Sequence, residues 1–155
     1  MVREISAGGV VIRNGKGGWR MAAIELPLAP GTPRPKPVIA LPKGLVDPGE
    51  PPFETARREV REETGLTAVS ITKLADIKYV YVRSWGDGER VFKIVSFYLL
   101  RYHSGRINDI VPEMRIEVKR AFWTLFEEAP ALLSYKGERD IARLALEYLK
   151  SKPDT

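Results

Sequence analysis

Two short apolar stretches open the chain: ISAGGVVIR (Ile5 to Arg13) and WRMAAIEL (Trp19 to Leu26), separated by NGKGG. Runs of this length bounded by glycine and asparagine predict two strands joined as a hairpin. The pattern then breaks, because residues 27–37 (PLAPGTPRPKP) carry five prolines and fit neither a helix nor a central strand. That stretch reads as an irregular connector, with Arg34 and Lys36 the side chains through which it would reach a substrate. VIALPKG (Val38 to Gly44) returns to extended chain.

After Pro52 the period changes. Phe53, Ala56 and Val60 recur at helical spacing, and Gly65 supplies a stop before the apolar Leu66. One helix of about three turns is predicted, with those three residues on its buried stripe. Further on, ITKLADIKYVYVRSW and RVFKIVSFYLLRYH flank GDGE, which predicts a second hairpin with long strands. The run Val91 to Leu100 is apolar on both faces except at Lys93 and Ser96, so it belongs in the middle of a sheet. FEEAPALL and GERDIARLALEYLK predict two helices, the second amphipathic through Ile141, Leu144, Ala145 and Tyr148. Hairpins interspersed with helices make an α+β, layered mixed-sheet domain.

Composition narrows the chemistry. At 155 residues, 44% of them hydrophobic and 29% charged, the chain suits one domain over 1–155 with a substantial core. Its longest apolar run is too short to span a bilayer, and Met1-Val2-Arg3-Glu4 carries no signal-peptide core. A cytoplasmic protein without a membrane partner is expected. There is no cysteine, so thiolate zinc sites and thiol nucleophiles lack their residues, and the one histidine, His103, at the end of a strand, argues against a histidine zinc site or a serine–histidine triad. Any metal must be held by oxygen, which favours magnesium, with manganese as a substitute. The net charge of +5 attracts anions, but the basic residues are scattered.

Glu59, Glu62 and Glu63 crowd one side of the predicted helix. At 100° per residue they lie within an arc of about 100°, bordering the apolar stripe. Carboxylates there are costly unless a cation compensates them, and a divalent ion converts their repulsion into shared coordination. A solvated face stabilised by Glu54–Arg58 and Arg58–Glu62 pairs is the competing account of the triplet alone. The surrounding spacing decides. Gly44, five residues, Glu50, seven residues, Arg58-Glu59-Val60, one residue, Glu62-Glu63, one residue, Gly65-Leu66 resembles the Nudix box at all its specified positions.

The resemblance implies the Nudix fold, a mixed β-sheet sandwiched between α-helices (α/β/α), and magnesium-dependent hydrolysis of a nucleoside diphosphate linked to a further group. It implies Glu59, Glu62 and Glu63 as metal ligands, with the carbonyl near Gly44 joining them. Arg58 is then expected to orient the catalytic glutamate, Glu50 to brace the loop, and Gly65 to end the helix. The general base is a box glutamate such as Glu59 or Glu62, or a later one, Glu113 or Glu117, of which Glu117 is preferred. Candidate substrate contacts are Lys43, Lys93 and Arg83 for phosphates, and Tyr79, Tyr81 and Tyr135 for a base. Tyr79, Tyr81, Arg83 and Trp85 alternate along one expected strand.

LPKGLVDPGE, VFKIVSFYLL and LSYKGERD look most like the branch that cleaves diadenosine polyphosphates, with ATP among the products. Relatives that hydrolyse nucleoside triphosphates, oxidised ones included, are similar too. An RNA 5′-pyrophosphohydrolase and a non-catalytic nucleotide-binding module remain as alternatives, and a monomer and a homodimer are equally open.

Overall fold

A computed structural model describes residues 1–33 and 36–155. Arg34 lies outside the described residues, and Lys36 is exposed. Strand β1 (Val2–Gly15) turns through two residues into β2 (Gly18–Leu26), pairing Ile12 with Met21 and Gly15 with Gly18. This is the expected first hairpin. β1 continues past its partner, and its N-terminal half pairs antiparallel with the short β4 (Lys43–Leu45), which follows β3 (Val38–Ala40).

Helix α1 (Pro52–Thr64) begins after the prolines and ends at Gly65, whose φ of 85° is one that glycine adopts without steric cost. Strand β5 starts at once and is longer than expected at its beginning (Leu66–Val82). It pairs antiparallel with β6 (Arg90–Gly105), and the turn between them takes in Arg83 and Trp85, which therefore lie beyond the strand. A 3₁₀ turn (Pro112–Ile116) leads to β7 (Arg120–Leu125), which pairs with β2. The expected FEEAPALL helix is a 3₁₀ turn (Phe126–Glu128) followed by one helical turn, α2 (Ala129–Leu132), and the chain closes with α3 (Lys136–Ser151).

The sheet runs β3-β2-β1-β6-β5, with β4 beside β1 and β7 beside β2. β1 and β6 are parallel neighbours at its centre, so both faces of the run Val91–Leu100 meet protein. One face packs Val10, Ile12, Val95, Phe97 and Leu99 against Phe126, Ile141, Ala142, Ala145 and Leu149 from the α2–α3 side. The other packs Val11, Ala22, Leu66 and Leu100 against Val60 of α1. Each buried Val, Leu, Ile or Phe among them contributes about 1.5–3 kcal/mol, so the two layers together hold the helices to the sheet. The result is the layered mixed sheet that the pattern implied, lying between helices as the resemblance implied.

Two apolar expectations need correction. Phe53 is 42% exposed and Leu144 41% exposed. On α1 the buried residues are Thr55, Ala56, Glu59, Val60, Glu63 and Thr64, an arc that takes in two carboxylates and leaves Phe53 at its margin. On α3 the buried arc runs through Glu138, Ile141, Ala142, Ala145 and Leu149, and Leu144 lies about 100° away from Ala145. Among the described residues no helix is long and apolar enough to cross a membrane.

Candidate active site

Arg58 is the organising side chain of the helix–loop unit. Its Nε and Nη2 donate to the two oxygens of Glu50 at 2.9 and 3.0 Å, and Nη2 also donates to the Leu45 carbonyl at 3.0 Å. Nη1 donates to Glu59 at 3.0 Å and to both Glu62 oxygens at 3.3 Å. Glu50 additionally accepts from the Thr55 hydroxyl at 2.5 Å and the Asp47 N–H at 3.3 Å. The Arg58 fork and then the Thr55 hydroxyl hold the Glu50 carboxyl down to about 2, so it stays ionised. A single guanidinium thus ties the loop at residues 45–50 to two of the three helix carboxylates. Of the pairs considered for a solvated face, Arg58–Glu62 forms, while Glu54 pairs with Arg57 at 3.0 Å instead of Arg58.

Glu59 and Glu63 are buried, at 9% and 7% exposure. Gly44 lies directly against the Glu59 carboxylate, and a Cβ there would collide with it. The Lys43 N–H donates to Glu63 at 2.9 Å. Burial and then the neighbouring Glu62 push the Glu59 carboxyl up. Burial and then Glu59 push Glu63 up to about 8. Glu117, exposed at the end of the 3₁₀ turn, is among the charges that raise both.

These groups fit a hard cation. Two buried carboxylates, Glu59 and Glu63, of which Glu59 raises the proton affinity of Glu63, lie beside the Gly44 backbone and offer oxygen donors. As it stands Glu62 lies on Arg58, and among the described residues no three acidic side chains are gathered into a ready cage.

On the α3 side of the same β4 segment, a cleft of about 620 Å³ is lined by Lys43, Tyr79, Lys93, Tyr135 and Glu138, with Ile77, Val95 and Phe97 as its floor. Four expected substrate contacts, Lys43, Tyr79, Lys93 and Tyr135, come together here from positions up to 92 apart in sequence (135 − 43). Tyr81 and Arg83 are tied elsewhere: the Tyr81 hydroxyl donates to Glu4 at 2.6 Å, and the Arg83 guanidinium lies 3.6 Å from the same carboxylate. Burial lowers the Lys93 ammonium. Burial also pulls Lys43 down, but the charge and hydrogen bond of Glu138 outweigh it, so Lys43 is raised overall. Glu138 is the polar residue that pattern reading missed. Its signal was faint: a glutamate on the apolar side of an amphipathic helix, one turn before Ile141.

The NUDIX domain family profile matches residues 3–145. The chain is 37% identical over 148 residues to MutT4 of Mycobacterium tuberculosis, covering 96% of this chain and 56% of that protein. It therefore spans little more than half of that relative's length. It is 32% identical over 118 residues to the asymmetrical bis(5′-nucleosyl)-tetraphosphatase of Mus musculus, covering 72% of each. In fold it is similar to the crystal structure of a Caenorhabditis elegans Ap4A hydrolase binary complex, with a TM-score of 0.66 at 19% identity over 96% of this chain and 98% of that one. With a profile match over nearly its whole length and the full box of residues built into one helix–loop unit, the chain belongs to the Nudix family.

Proposed function

We propose that this protein is a magnesium-dependent pyrophosphohydrolase that cleaves a phosphoanhydride bond of a dinucleoside polyphosphate, releasing ATP from a diadenosine substrate. The observation that carries the reading is the adjacency of the Glu59–Glu63 carboxylates and the aromatic, two-lysine cleft, joined through Lys43 and Gly44. The 32% identity to a protein named as a bis(5′-nucleosyl)-tetraphosphatase supports the substrate class.

In this reading Glu59, Glu62, Glu63 and the Gly44 carbonyl would hold magnesium, whose chemistry there would be neutralisation of phosphate charge and acidification of water. The protein's own groups do the rest. Arg58 fixes Glu59 and Glu62 while Glu50 fixes Arg58, so the acidic side chains are oriented before substrate arrives. Glu117, whose charge is felt by both buried glutamates, is assigned the proton from the attacking water. Tyr79 and Tyr135 offer ring faces to a nucleobase, at about 1–3 kcal/mol for each stacking contact. Lys93 interrupts the apolar β6 and presents a cation to the phosphate chain.

A second reading, hydrolysis of nucleoside triphosphates including oxidised ones, is favoured by the higher identity to a protein named as a mutator. The deciding experiment is product analysis with magnesium on a panel of diadenosine polyphosphates, nucleoside triphosphates including the 8-oxo form, ADP-ribose and triphosphorylated RNA. ATP released fastest from the tetraphosphate dinucleotide supports the first reading. Fastest turnover of the 8-oxo nucleotide transfers the assignment to the second, and no turnover of any member with magnesium or manganese removes the hydrolase reading for this panel.

A further inference from the structure

The first turn of α3 and the residues just before it grip the segment that carries Lys43 and Gly44. Ser134 exchanges two hydrogen bonds with Ile39: its N–H donates to the Ile39 carbonyl and its hydroxyl accepts from the Ile39 N–H, both at 2.9 Å. Two residues further along the chain, just past β3, the Leu41 N–H donates to Glu138 at 2.7 Å. Two further still, the Lys43 ammonium donates to the other Glu138 oxygen at 3.1 Å. Glu138 is 3% exposed, and both of its oxygens are engaged.

We infer that Glu138 is a positioning residue for the candidate active site: by holding Leu41 and Lys43 it sets the backbone that lays Gly44 against Glu59 and aims the Lys43 N–H at Glu63. The inference rests on the reading of those carboxylates as the metal site. Stability alone does not explain the pair. A buried ion pair gains about as much from attraction as it loses in desolvation, and apolar side chains of similar volume commonly do as well. What the pair supplies is a fixed distance between α3 and a three-residue strand, β4, whose register with β1 covers Ser6, Ala7 and Gly8, flanked by backbone hydrogen bonds from Gly9 to Pro42 and from Val46 to Ile5. It also makes Lys43 a neutralised strut. Lys93, with no carboxylate within ion-pair distance among the described residues, is then the free cation of the cleft.

Four proteins test this: wild type, Glu138→Gln, Lys43→Met and the double variant, which carries the same net charge as wild type. Each is melted to establish folding, titrated with Mn²⁺ alone by electron paramagnetic resonance, and assayed for kcat and KM on a dinucleoside tetraphosphate with magnesium. The double variant should bind Mn²⁺ at least about 5-fold more weakly and lose at least about 20-fold in kcat, with KM within about 3-fold. A double variant indistinguishable from wild type would mean that the pair only balances charge, and the inference falls. It falls also if folded Glu138→Gln melts lower but keeps wild-type kcat, KM and Mn²⁺ affinity. A Lys43→Met protein with KM raised at least about 10-fold and kcat retained makes Lys43 a substrate contact, which equally overturns the strut. Should Glu138→Gln fail to fold, Lys43→Met alone decides by the same criteria. If wild type does not turn over the substrate, the proposed function fails while the Mn²⁺ titrations still judge the positioning role.

Discussion

Replacing Glu63 by Gln should make the protein stripped of divalent cations more stable at neutral pH, and nearly inactive once magnesium is restored. Burial, with Glu59 beside it, raises the Glu63 carboxyl from 4.5 to about 8. In the folded chain it keeps its proton while the unfolded chain releases it. Below about pH 4.5 both states are protonated and the group costs nothing; from there to about pH 8 folding is increasingly penalised, because the unfolded state binds fewer protons. At 1.36 kcal/mol per pH unit, the gap of 3.5 (8 − 4.5) becomes about 5 kcal/mol when fully developed and about 3 kcal/mol near pH 7. Glutamine carries no charge to desolvate, and its carbonyl oxygen can still accept the Lys43 N–H. Allowing for relaxation, a gain of about 2–3 kcal/mol is expected, or about 4–12 °C in Tm for a chain of this size. The assay is thermal melting of both proteins in EDTA from pH 5 to 8, repeated with magnesium. The difference between variant and wild type should grow with pH in EDTA, and shrink or reverse with magnesium if the proposed metal site of wild type takes it up. A variant no more stable than wild type at pH 7.5 in EDTA, with no growth of the difference across the range, would refute the reasoning.

Gly44→Ala places a Cβ into the Glu59 carboxylate, so kcat should fall at least about 100-fold while circular dichroism stays native; retention of activity would show that Glu59 can move freely. Arg58→Lys cannot reach Glu50, Leu45, Glu59 and Glu62 together, and should cost about 2–3 kcal/mol in urea unfolding besides lowering kcat. Phe53→Ser should change stability by less than about 1 kcal/mol, since the ring is 42% exposed; a loss above about 2 kcal/mol would restore Phe53 to the core. Lys93→Met should raise KM for the dinucleotide about 10-fold with little change in kcat, and an unchanged KM would take the phosphate chain out of the cleft.

The amino-acid sequence by itself determined whatever repeats over a few residues. The spacing of Arg58, Glu59, Glu62 and Glu63 sets their common side of α1, because a helix turns 100° per residue whatever it packs against. The glycines and the polar turns placed both hairpins, and the double-sided apolar run Val91–Leu100 placed β6 in the interior. Tertiary structure decided which of those side chains meet. The apolar stripe of α1 was legible as a stripe, but its centre depends on what the sheet presents, and Glu59 and Glu63 proved to be inside it while Phe53 is at its rim. Alternation put Tyr79, Tyr81 and Arg83 on one face; only the parallel pairing of β1 with β6 brought Glu4 there to take Tyr81 and Arg83 away from the cleft. Glu138 lies 97 residues from Leu41, and no local pattern encodes that contact. Backbone periodicity acts over one or two turns, whereas an ion pair across the chain exists only after strand order has fixed which segments are neighbours.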